Sequence, residues 1–323
     1  MKGKIKMNNT FKQISDTIKK AKNIAIFTHI NPDFDAFGSA LALYFACKKM
    51  NKSVSFFSKA NLTEKQEVFI DKSWINEICN ESDFDLFIST DTPSKNRLGD
   101  YGYLFKNNNE TIVIDHHQNV DLVGKYNFIN TSFSSCSEIV FKIIKALKIN
   151  IDQQIASLLY LGLSADTGSF MNTNTNSCSF KTAYELSKLG ADLAFINQNQ
   201  YRSFSIKEIE IRKYLYENYK ILGECAYILV DLAALKKMAC SKADCDFYSS
   251  ELISIKEAKY SFSIIESNKN FYEISMRAKS GYSVRDIANE LGGGGHIGAA
   301  GAKVEAESIE AVKDKILQLI NKR

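Results

Sequence analysis

Along the first half of the chain, short apolar runs of β type alternate with stretches of amphipathic, helical spacing. Residues 11–22, 39–50, 137–147 and 153–165 follow the helical pattern. Residues 24–28, 53–58, 86–90 and 111–114 are short runs rich in Ile, Val and Phe, which predicts strands. Strands that each lead into a helix imply a parallel α/β sheet with helices on both faces. In such sheets ligands bind beyond the carboxyl ends of the strands. Here the first run ends at His29, the third at Asp91 and the fourth at Asp115, so three strands deliver polar groups to one rim.

Residues 175–189 are again helical, and 206–221 form a long charged stretch rich in Glu, Lys and Tyr that reads as a connector. After it the pattern predicts strands at 226–231, 260–266 and 271–277 and a helix at 284–291. A run of four glycines, a strand at 302–304 and a helix at 308–320 complete it. This half is expected to be a smaller α/β domain on a mixed sheet. The expected division is 1–188, a helical connector at 189–222, and 223–323, with a functional cleft between the two domains. A length of 323 residues accords with two domains.

Composition changes this picture little. Hydrophobic residues at 45% and charged residues at 24% describe a globular chain. A net charge of +4 permits an anionic ligand without the basic stripe of a long-polymer binder. Seven scattered cysteines without a C-x-x-C pair, and a start with no apolar leader, predict reduced thiols in a cytoplasm. The chain lacks an apolar run long enough to span a bilayer, so no membrane span is expected.

The candidate chemistry lies at the strand ends. His29-Ile-Asn-Pro-Asp33-Phe-Asp35 places one imidazole and two carboxylates within seven residues. In an extended loop Asp33 and Asp35 would point to different sides, one toward each of two cations. Taken singly, Asp33 also reads as a helix cap and Asp91 as a turn residue before Pro93. Asp115-His116-His117 after a buried strand is harder to explain structurally, and Asp166-Thr-Gly follows a helical run. Of only four histidines, three fall at the rim; the two prolines each adjoin a candidate aspartate. Four aspartates gathered there, Asp33, Asp35, Asp91 and Asp166, would repel one another without cations. Two divalent ions neutralise the set, and carboxylate with imidazole suits Mn²⁺ or Mg²⁺. A pair about 3.5–4 Å apart activates water for phosphoryl displacement. In the second half, Gly292–Gly295 followed by His296, with Arg277 at a strand end, reads as an anion grip. Glycine backbone N–H groups, an imidazole and a bidentate fork are its parts.

These motifs resemble those of the DHH phosphoesterase superfamily over essentially the whole chain. HINPDFDAFGS, STD, DHH and ADTG look like its four ordered motifs, and GGGGHIGAAG like the signature of the DHH-associated C-terminal domain. The resemblance implies that His29, Asp33 and Asp91 hold one Mn²⁺, and Asp35, Asp91, His116 and Asp166 the other. Mg²⁺ or Co²⁺ are alternatives. It further implies that His117 contacts the scissile phosphate, that Asp115 steadies the cluster, and that Arg277, Gly293, Gly294, Gly295 and His296 bind substrate.

Within the superfamily the chain is most similar to the nanoRNase type. That implies an Mn-dependent cytoplasmic phosphoesterase acting on short RNA and on 3′-phosphoadenosine 5′-phosphate. No membrane partner is implied, and a homodimer is compatible. Two further substrate classes are linear dinucleotides from cyclic-dinucleotide turnover and inorganic pyrophosphate. A nucleotide-binding module without catalysis is the alternative outside enzymes.

Overall fold

A computed structural model describes residues 8–105, 109–118, 120–295 and 297–322, which divide into two compact units between Ser203 and Phe204. The first unit contains strands β1 (Asn23–Phe27), β2 (Ser53–Phe57), β3 (Ile75–Asn76), β4 (Leu86–Thr90), β5 (Thr111–Asp115) and β6 (Tyr126–Ile129). Its helices are α1 (Phe11–Lys20), α2 (Phe34–Lys49), α3 (Glu64–Glu67), α4 (Cys136–Leu147), α5 (Gln153–Asp166), α6 (Ser177–Lys188) and α7 (Leu193–Tyr201). The sheet runs in the order β3-β2-β1-β4-β5-β6 and every pairing is parallel. β1, β4 and β5 sit in its middle. Their residues are therefore buried on both faces and read as continuous apolar runs.

One face packs Ile24, Ile26, Ile88, Ile112 and Ile114 against α2, α4 and α5; the other packs Phe27, Phe57, Phe87, Leu98 and Val113 under the segment after β4. α2 and α5 approach closely because glycines face each other. A Cβ at Gly38 would overlap the Leu158 carbonyl and crowd Gly162.

The second unit contains α8 (Ile206–Asn218), β7 (Lys220–Leu222), β8 (Cys225–Val230), α9 (Leu232–Lys237), α10 (Tyr248–Leu252), β9 (Tyr260–Asn268), β10 (Phe271–Ala278), α11 (Arg285–Glu290), β11 (Gly294–Gly295), β12 (Ala299–Glu305) and α12 (Ile309–Asn321). Its sheet has the order β11-β12-β10-β9-β8-β7 and is mixed: β8 and β9 run parallel, the other pairs antiparallel. α8, expected as a connector, belongs to this unit. Its Ile211 and Leu215 are buried with Ala226, Ile228, Val230 and Tyr248. α7, also within the expected connector, buries Ile196 in the core of the first unit.

A second difference concerns α2. It starts at Phe34 and not near residue 39, because Asp33 caps it. Asp33 Oδ1 accepts from the backbone N–H of Asp35 and of Ala36, both at 3.0 Å. Asp33 and Asp35 therefore do not alternate along an extended loop. They part because one is the cap and the other lies in the first helical turn. All seven cysteines are free thiols, and no helix among the described residues is long and apolar enough to cross a membrane.

Candidate metal centre

The carboxyl ends of β1, β4 and β5 place His29, Asp91, Asp115, His116 and His117 on one rim of the first unit, and α2 and α5 add Asp33, Asp35 and Asp166. Three ligand groups form, each with donor atoms mutually within 4.8 Å: His29, Asp33 and Asp91; Asp35, His116 and Asp166; and Asp91, His116 and His117. Asp91 thus reaches donors on both sides. Its Oδ2 is 3.8 Å from His29 Nε2, and its Oδ1 is 3.5 Å from both His116 Nε2 and His117 Nδ1. It can turn inward because the chain there has a positive φ in the left-handed region. Aspartate tolerates that conformation better than most residues do.

Asp35 is fully buried and is held from far along the chain. Its Oδ2 accepts from Cys136 N–H at 2.6 Å and its Oδ1 from Ser137 N–H at 2.9 Å. These are unsatisfied donors of the first turn of α4, where the helix dipole favours an anion. Ser135 caps the same turn by accepting from Glu138 N–H. Asp166 is the last residue of α5. Its carbonyl accepts from the side-chain amides of Asn172 and Asn174, at 2.9 and 3.1 Å, and Asn174 also reaches the Ser134 carbonyl. Asp115 Oδ1 accepts from His117 backbone N–H at 2.7 Å and lies 2.8 Å from its Nδ1, which fixes that ring.

Gly162, in α5, completes the pocket by having no side chain. A Cβ there would overlap Ser137 Oγ and lie 2.5 Å from Asp35 Oδ1. Gly162→Ala is expected to lower stability by about 1–3 kcal/mol through overpacking and to weaken cation affinity by displacing Asp35. Thermal melts with and without Mn²⁺ and a calorimetric Mn²⁺ titration measure the two effects.

The electrostatics are those of a set assembled for cations. Burial pushes the Asp35 carboxyl up to about 7, with the charge of Asp166 adding to it. Burial lifts Asp91 well above the usual carboxylate range, and Asp35, Asp33 and Asp166 add further repulsion. For His116, burial pulls the imidazole down, but the carboxylates, Asp166 foremost, outweigh it and raise it to about 9. Burial holds His29 below its ordinary value.

Asp91 Oδ1, Asp115 Oδ2 and His116 Nε2 are buried with no hydrogen-bond partner. The last lies 3.0 Å from Asp166 Oδ2 but out of alignment for a hydrogen bond. Orphaned oxygens and an imidazole nitrogen turned inward are costly without a ligand and are the donors a hard divalent cation takes. The residues fit a metal.

The remaining predicted residues lie in the second unit. Arg277 is half-buried on β10, and its Nη1 donates to the Met276 carbonyl at 3.0 Å. The glycine run is not an open loop. Gly294 and Gly295 pair with Gly301 and Ala300, and a Cβ at Gly293 would overlap the Gly301 carbonyl. Part of the need for glycine is therefore the close backbone approach of β12. Gly293 N–H is also committed, donating to the Ala288 carbonyl at 2.8 Å. His296 lies outside the described residues.

Sequence reasoning did not find Cys136, Ser137, Gly162, Asn172, Asn174 or Arg97. The capping pattern Ser135-x-x-Glu138, a free helix N-terminus, was the one signal available.

The profile of the DHH family, N-terminal domain, matches residues 23–163, and that of the DHHA1 domain matches 228–322. A Streptococcus mutans protein named probable bifunctional oligoribonuclease and PAP phosphatase NrnA is 32% identical over 297 residues, 90% of this chain and 93% of that one. A Mycoplasma genitalium protein named bifunctional oligoribonuclease and PAP phosphatase NrnA is 29% identical over 318 residues, covering 94% and 96%. The fold is shared with an exopolyphosphatase-related protein from Bacteroides fragilis, at a TM-score of 0.88 and 23% identity, covering 95% of each chain. With both domains in order and the rim residues in place, the chain belongs to the DHH family of phosphoesterases.

Proposed function

We propose that the chain hydrolyses short oligoribonucleotides to nucleoside 5′-monophosphates, and 3′-phosphoadenosine 5′-phosphate to AMP, in the cytoplasm with two Mn²⁺ ions. The observation that carries this reading is Asp91, whose two oxygens face different ligand groups and so can serve both cations at once. When bound, the cations lower the pKa of a water and take up charge on the phosphoryl oxygens.

The chain's own residues do the rest. His29 and Asp33 complete one cation position, and Asp35, His116 and Asp166 the other, while the N–H groups of the α4 N-terminus hold and aim the Asp35 carboxylate. His117, its Nδ1 turned to Asp115, presents its other ring nitrogen to the scissile phosphate. Arg277, the backbone of Gly294 and Gly295, and His296 bind a second phosphate of the substrate. A substrate that offers two phosphates accords with short oligonucleotides and with 3′-phosphoadenosine 5′-phosphate. The relatives that carry both activities in their names align over nine-tenths of the chain.

A substrate panel tests the reading: a two-nucleotide RNA, 3′-phosphoadenosine 5′-phosphate, the linear dinucleotide pGpG and pyrophosphate, each with Mn²⁺ and with Mg²⁺. Turnover of the first two is expected, faster with Mn²⁺; cleavage of pyrophosphate alone would overturn it. In the same assay Arg277→Ala is expected to raise KM roughly 10–100-fold, the value of a charge-assisted phosphate contact, with kcat near that of the parent chain. A fall in kcat at unchanged KM would instead put Arg277 at the reacting phosphorus.

A further inference from the structure

Arg97 lies six residues beyond Asp91, in a 3-10 segment over Lys95–Leu104. Ile30 N–H donates to the Arg97 carbonyl at 2.7 Å, which ties this segment to the residue after His29. The Arg97 side chain is exposed, and its Nη2 is 2.9 Å from His29 Nδ1. Among the described residues no carboxylate pairs with it; the nearby Asp100 is taken by Lys59.

The same Nδ1 is 2.8 Å from the Ile30 carbonyl. A ring nitrogen carries either a hydrogen or a lone pair, so it serves the carbonyl or the guanidinium and never both. For Nε2 to offer its lone pair toward Asp91 and a cation, the hydrogen must sit on Nδ1 and be donated to Ile30. The guanidinium is then left facing an N–H with no acceptor. A planar, permanently charged fork in that position has strong affinity for a phosphate oxygen.

The guanidinium is exposed, so a phosphate can reach it from solvent. A cavity of about 230 Å³ also borders the imidazole, lined by Thr28, His29, Lys59 and Asp100 among others but not by Arg97. Thr28 lines it while only 3% exposed, and its Oγ1 has no hydrogen-bond partner.

We propose that Arg97 binds a non-bridging oxygen of the phosphoryl group under attack, an assignment that rests on the phosphoesterase reading of the rim. It is a substrate-binding residue distinct from the cation ligands, and it enters from the β4 side of His29. The competing role is purely local, with Arg97 orienting His29 for its cation.

Arg97→Gln and Arg97→Lys separate the two, because the side chain is exposed and neither variant alters the backbone contact to Ile30. Two affinities are measured on the full chain by calorimetry: Mn²⁺ for the nucleotide-free protein, and AMP and inorganic phosphate for the Mn²⁺-loaded protein. Arg97→Gln is expected to weaken AMP and phosphate roughly 10–100-fold and to leave Mn²⁺ affinity unchanged. Arg97→Lys is expected to recover part of the loss, since charge is kept and the fork is not. Loss of Mn²⁺ affinity with AMP binding intact would overturn the proposal in favour of the orienting role, and unchanged AMP binding in both variants would overturn it outright. If the parent chain turns over no substrate of the panel yet binds phosphate through Arg97, the functional reading fails and Arg97 is left as a phosphate-binding residue only.

Discussion

Asp91→Asn is expected to abolish hydrolysis and to reduce occupancy of both cation positions in one step. The substitution is close to isosteric, and asparagine tolerates the left-handed backbone at this position as well as aspartate does. Folding is therefore preserved and the loss is chemical. The carboxylate that disappears is the one within 3.8 Å of His29 and 3.5 Å of His116. Losing about 4 kcal/mol of charge stabilisation corresponds to about 10³-fold in kcat. Asp33→Asn, at an exposed ligand of one group only, is expected to leave the second position bound. Metal content by atomic spectroscopy, a melting curve and kcat at saturating Mn²⁺ distinguish the two variants. Hydrolysis by Asp91→Asn at the parent rate would refute the shared-ligand assignment.

The contrast between these two aspartates also marks how far the sequence could be read. The central strands were legible because burial on both faces leaves unbroken apolar runs. Their ends pointed directly to His29, Asp91 and the Asp115–His117 triplet. Asp35 was legible as a ligand but not as a structure. Its position depends on N–H groups of Cys136 and Ser137, far later in the chain, and on the missing side chain of Gly162. Such dependencies have no local signature: a helix N-terminus is visible in sequence, but what it faces is not. The edge strands β6 and β7 were missed for a related reason. They are short, and β7 is exposed throughout, so no apolar pattern marks it. The glycine run serves a further purpose that its composition did not reveal. Its composition suggested an anion loop alone, whereas pairing with β12 accounts for part of it.

Removal of the cations is expected to destabilise the first unit, and more so as pH rises. In the cation-free protein Asp35 titrates near 7 against 3.8 when exposed, so its protonated form is favoured by folding. A carboxyl raised in this way contributes fully below about pH 3.8, and its contribution is lost as pH rises through 7. His116, raised to about 9, acts in the same direction: its contribution is full below 6.5 and is lost on rising through 9. Asp91, also raised, adds to the trend, whereas His29, lowered by burial, opposes it between its folded value and 6.5. Bound cations take over the neutralisation that protons perform, and they compete with those protons, so cation affinity rises over the same interval. At cation concentrations of roughly 100–1,000 times Kd the linkage contributes about 2.7–4.1 kcal/mol per site, or roughly 5–15 °C in Tm for a unit of this size. The Tm difference between Mn²⁺-loaded and chelated protein is therefore expected to be small at pH 5 and to widen through pH 8.5. Asp35→Asn removes the group that titrates near 7. It should flatten the chelated curve over that interval as it lowers cation affinity, and because an amide nitrogen cannot accept from Cys136 or Ser137 N–H, the chelated Tm at pH 5 should fall. A difference that narrows with rising pH would mean that protonation of this cluster does not stand in for the cations.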